Sequence, residues 1–156
     1  MAQTPVARSF ANYLVAASLA LSLATAPTVF AADKAKAITF DDLAFEMEKG
    51  GDFERSMLTP EIEALDGKRV SIKGYMLPSF QEDGIKNFVF VRDNLECCYG
   101  PGAALFDCTL VRMQGDATAS FSIRPMTVEG IFRIDEYLGP DEKHLAIFRI
   151  DADKAK

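Results

Sequence analysis

Lys68-Arg-Val-Ser-Ile-Lys-Gly-Tyr-Met76, followed by Leu77-Pro78, is the stretch on which the fold turns. Val70, Ile72, Gly74 and Met76 alternate with Arg69, Ser71, Lys73 and Tyr75. That period of two belongs to a half-buried strand and not to a helix. Pro78 stops it, because proline has no N–H to give to a ladder. Asp83-Gly84 then signals a turn, and residues 87–91, Asn-Phe-Val-Phe-Val, read as a strand apolar on both faces and therefore central. Residues 107–113 read as a third strand turned by Gly115-Asp116, residues 126–134 as a fourth, and residues 144–150 as a fifth beyond Gly139-Pro140-Asp141. Residues 120–124 fit a short extra strand. Two strands share a glycine interruption, Ile72-Lys-Gly-Tyr-Met76 and Val128-Glu-Gly-Ile-Phe132, where glycine permits a bulge or a sharp coil. Five strands, two of them bent, with short hairpins and no crossover helices, predict a mainly β fold. The expected form is a small antiparallel five-stranded OB-like barrel, with another small antiparallel barrel or sandwich as the alternative.

Upstream of the strands the period is helical. Thr39 and Asp42 resemble a capping box, and Phe40, Leu43, Ala44 and Met47 recur at i, i+3, i+4 and i+7. This predicts an N-terminal amphipathic helix, ended by Gly50-Gly51, that packs on the barrel or plugs one end. Thr59-Pro60 predicts a second, short helix with threonine as cap and proline at the first position, closing near Asp66-Gly67.

Residues 1–31 hold one charge, Arg8, an apolar run and a small-residue site at Val29 and Ala31. This is the pattern of a signal peptide cleaved between Ala31 and Ala32, with an uncleaved anchor as the alternative. Residues 32–37 read as a flexible tether and residues 38–156 as a single OB-like domain. No later segment is long and apolar enough to cross a bilayer. The whole chain carries a formal charge of −6; loss of Arg8 with the leader takes 17 basic residues to 16 against 23 acidic, hence −7. An acidic surface repels phosphate backbones and argues against nucleic acid as a partner.

All three cysteines, Cys97, Cys98 and Cys108, fall in the connection before the third strand. Exported thiols pair, bind metal or are protected. A disulfide from Cys97 or Cys98 to Cys108 closes a small loop, eased by Gly100, Pro101 and Gly102. Three thiolates also suit zinc or copper, with Asp107 and His144 as candidate further ligands. A vicinal Cys97–Cys98 bond used in thiol exchange is a third reading, and thiols without any bond a fourth. Tyr99, with Tyr75 and Phe106, offers a stacking wall. His144, the one histidine, has no orienting partner visible in sequence, and no nucleophile triad or phosphate-cradling loop occurs. Asp41-Asp42 suits the first turn of a helix, and Asp135-Glu136 reads as a solvated pair before a turn.

Five blocks, Leu65-Asp-Gly-Lys-Arg-Val70, Ile72-Lys-Gly-Tyr-Met-Leu-Pro78, Phe88-Val-Phe-Val91, the cysteine connection and Val128-Glu-Gly-Ile-Phe132, resemble a bacterial envelope family of unknown function, domain of unknown function 3299. The resemblance implies a secreted or periplasmic β-rich domain. In that family the connection carries a Cys followed within two positions by a His and a proline run. Here it reads Cys97-Cys98-Tyr99-Gly100-Pro101, so no metal site is carried over.

The resulting expectation is an exported, non-enzymatic domain of the periplasm or cell envelope. It binds a protein partner or small ligand through Cys97, Cys98, Tyr99 and Cys108, and no cofactor is expected. An envelope metal-handling protein using zinc or copper is the alternative, and a thiol-redox helper stands behind it.

Overall fold

The structure is a computed structural model that describes residues 34–47, 51–93 and 104–156. By its contacts the chain divides at Met1–Ala31 and Ala32–Lys156, and all described residues belong to the second unit. The signal-peptide reading of residues 1–31 lies outside the described residues.

Six strands carry the described unit: β1 (Lys36–Ile38), β2 (Arg69–Met76), β3 (Asn87–Val91), β4 (Cys108–Met113), β5 (Met126–Leu138) and β6 (His144–Ala155). They form one mixed sheet in the order β1-β2-β3-β4-β6-β5, and β5 returns to pair with β2, so the hydrogen bonding closes in a ring. Two joints are parallel, β1 with β2 and β4 with β6, which corrects the expectation of five strands all antiparallel. The extra strand is β1, whose Lys36 and Ala37 are the last residues of the segment read as a tether. Residues 120–124 form no strand; only Ala119 bridges to Ile85.

Gly74 and Gly130 explain how a sheet this small turns on itself. β2 pairs with β5 from Arg69 to Gly74 and changes to β3 at Tyr75. At the changeover Val91 O and the Phe40 ring approach Gly74 so closely that a Cβ would meet them at 2.5 and 2.8 Å. Gly130 sits at a register shift between β5 and β6, the bulge that its sequence setting predicts. Positive φ at Gly84 and Gly115 places the two glycine turns where the sequence set them. Phe90, Phe132, Phe148, Ile72, Ile147 and Val70, all essentially without solvent contact, belong to the buried core.

The long N-terminal amphipathic helix does not form. Phe40–Leu43 make one 3-10 turn, and Ala44 is already extended at φ −73°, ψ 139°. From Leu43 onward burial alternates, with Leu43 and Phe45 inside and Glu46 outside. The apolar spacing therefore has two solutions, helix or extended chain. Packing of Phe40 over Gly74 and Phe90 favours a turn followed by extended chain. The second helix is present as α1 (Pro60–Glu63), capped by Thr59 Oγ1, which accepts from the Ile62 amide at 3.3 Å.

Candidate functional site

Cys97, Cys98 and Tyr99 lie outside the described residues, so their pairing and surroundings do too. What can be built is the base of their connection. Val91 ends β3 opposite Cys108, which begins β4, and the Arg92 amide donates to Asp107 O at 3.1 Å just beyond. Leu105–Asp107 form a 3-10 turn that delivers Cys108, half-buried, into the strand.

Arg92 ties this base to the N-terminal turn. Its Nε stands 2.6 Å from Asp107 Oδ1, and its Nη1 stands 2.8 Å from Asp41 Oδ1. The first approach is too oblique for a well-aligned hydrogen bond, so charge rather than geometry holds it. Asp107 is nearly buried, and a carboxylate there needs a cation to offset its lost hydration. Asp41, expected to act on a helix dipole, serves instead as an outer clamp on Arg92. Asp42 accepts from the Thr39 amide at 2.7 Å and from its hydroxyl at 2.9 Å. The amide bond, then the hydroxyl, hold its carboxyl below the ordinary aspartate value.

His144 opens β6 at the same end of the ring, because parallel pairing of β4 with β6 puts Cys108 and His144 at like ends. Its Nε2 lies 2.8 Å from Glu136 Oε2, the partner that the sequence did not reveal. Asp135 pairs with Arg149, so the Asp135-Glu136 pair is engaged across the hairpin and not simply solvated. Both are cross-strand contacts that no spacing along the chain announces. A row of rings joins the histidine to the cysteine connection: His144 to Phe53 at 5.3 Å, Phe53 to Phe45 at 5.8 Å, Phe45 to Phe106 at 5.3 Å, all edge-on. Phe45 and Phe53 were not singled out by sequence, since helical spacing hid the first and the second stands alone.

Asp107 and His144 are thus brought to one end but are committed to Arg92 and Glu136. Among the described residues no three His, Cys, Asp or Glu side chains are grouped to hold an ion. The end also carries exposed apolar side chains, Tyr137, Leu138 and Leu145, at the tip of the β5–β6 hairpin. Segment 51–58 leans on this hairpin through Phe53, and Arg55 pairs with Glu63 at 2.8 Å. That bond raises the Arg55 guanidinium and lowers the Glu63 carboxyl from their ordinary values. No described helix is long and apolar enough to cross a membrane.

No protein-family model matches the chain, and no curated protein does. Among solved structures, a DUF3299 family protein from Pseudomonas aeruginosa PAO1 superposes with a TM-score of 0.56, at 17% identity, over 79% of this chain and 95% of that one. Four of the five sequence blocks behind the resemblance occupy the turn after α1, β2, β3 and β5, and most of the fifth, the cysteine connection, lies outside the described residues. In fold, the chain is DUF3299-like.

Proposed function

We propose that this protein is an exported, non-enzymatic binding domain of OB-like form, whose partner docks on the end that bears the cysteine connection. The strand order supports the OB-like reading: the first long strand joins the fourth and then the second, and the third runs parallel to the fifth. The observation that carries the binding reading is the exposed trio Tyr137, Leu138 and Leu145 at the end of the ring where Arg92 pairs with Asp107. Exposed apolar groups gathered on a rigid base mark an interaction surface more often than scattered ones do. In this reading Cys97, Cys98, Tyr99 and Cys108 serve as the stabilising or recognition element, and the partner is an envelope protein or a small ligand.

The test places a photo-crosslinking amino acid at Tyr137 in one strain and at Phe80, toward the other end, in a second. A discrete adduct at Tyr137, absent at Phe80 and abolished by Leu138→Asp with Leu145→Asp, supports the reading. Equal labelling at both positions, or none at Tyr137 in intact cells, overturns it.

A further inference from the structure

We propose that a basic groove between β1 and the turn after α1 binds a small polyanion, a molecule bearing two or more phosphate or carboxylate groups. The groove, about 350 Å³, is lined by Lys34, Lys36, Lys68 and Arg69 over an apolar floor of Ala64 and Leu65. That volume is the size of a small-molecule site. Four cations converging here run against the charge of a chain that is −6 as a whole.

Their placement follows from the register. β1 pairs with β2 in parallel, Lys36 opposite Val70. Extended two residues beyond the paired strands, that register would set Lys34 opposite Lys68, and both line the groove. Lys34 and Lys36 are two apart, so an extended chain projects both to one side. Like charges placed opposite one another destabilise a sheet, and the cost is removed when an anion sits between them.

Among the described residues the protein's own carboxylates pair with Arg69, which Asp153 holds at 2.7 Å and Glu129 approaches at 3.9 Å, but not with the three lysines. Glu63 is taken by Arg55, Glu129 by Lys154, and Asp153 by Arg69. Asp66 accepts from the Ile134 amide, and Asp42 is engaged by Thr39 and feels Lys36 least of the influences on it. Lys34, Lys36 and Lys68 make no ion pair among the described residues, and all three are exposed. Arg69, held by Asp153 at 2.7 Å, is the fixed wall, and the three lysines are the arms. The site stands on elements other than the cysteine connection, so it does not depend on the docking end proposed above.

Titration of the exported protein with pyrophosphate, and separately with citrate, followed by amide NMR, tests the proposal. Saturable shifts confined to residues 34–36 and 64–69 are expected with at least one probe, and the stronger probe tells phosphate from carboxylate preference. Lys34→Gln, Lys36→Gln and Lys68→Gln together should weaken binding by about tenfold or more, while Lys73→Gln with Lys143→Gln, the remote charge control, changes it less than about twofold. In the unaltered protein affinity should fall as salt rises. Shifts absent with both probes, spread over the whole surface, or equally weakened by the remote control overturn the site, as does binding indifferent to salt.

Discussion

A methyl group at Gly130 would lie 2.3 Å from the carbonyl oxygen of Asp151 and 2.5 Å from the Cα of Ala152. Both neighbours are backbone of the paired strand and cannot swing aside as a flexible side chain does. Gly130→Ala is therefore expected to lower stability by about 2–4 kcal/mol, as overpacking and bulge strain combine, measurable by chemical denaturation. Thr39 and Asp42 make a second prediction at this scale. Because the folded pKa of Asp42 is depressed, its contribution to stability is present above its unfolded value and is lost as pH falls through the folded one. Asp42→Asn should unfold more easily than the parent near neutral pH, and the gap should close in strong acid. A gap that widens in acid reverses the sign and refutes the assignment.

Among the elements, the β3–β4 connection is the one whose anchorage is unusual. Its feet are joined by the Arg92 amide bond and by the Arg92–Asp107 pair, and Asp41 braces the outer side. Arg92→Met leaves the nearly buried Asp107 without its guanidinium and should cost about 1–3 kcal/mol, read by thermal or denaturant unfolding. Amide exchange should rise in β4 near Cys108 and in the 3-10 turn of Phe40–Leu43 together, because one side chain serves both. The β5–β6 hairpin is held differently, by His144–Glu136 and Asp135–Arg149 and by Phe53 against His144. Its turn keeps Glu142 at a positive φ of 61°, a conformation more natural to glycine.

At the scale of the whole molecule, the described strands close in a ring and the chain carries a formal net charge of −6. Intact-mass measurement of the protein isolated from the cell envelope fraction, with and without reduction, should find residues 1–31 removed. Peptide mapping of the same material with and without reduction should find Cys108 joined to Cys97 or Cys98. Elemental analysis of the same material, purified without oxygen, is expected to show no stoichiometric zinc or copper. One bound ion per chain would revive the metal-handling reading.

Local patterns made much of this protein readable. Alternation in residues 69–76 and 87–91, Thr59-Pro60 at the start of α1, and glycine in the Gly84 and Gly115 turns each depend on neighbours within a few residues. Such signals are written along the chain. The glycines at 74 and 130 were legible as bends, yet what they admit, Val91 O and the Asp151 backbone, comes from distant strands. The same limit applied to residues 40–47, where one apolar spacing fits both helix and extended chain until Phe40 meets Phe90. Strand directions, the β1 edge, Arg92 between Asp41 and Asp107, Glu136 beside His144, and the lysines around one groove were decided by tertiary structure alone. Each joins groups that sequence holds far apart, and Coulomb attraction or packing acts through space, not along the backbone.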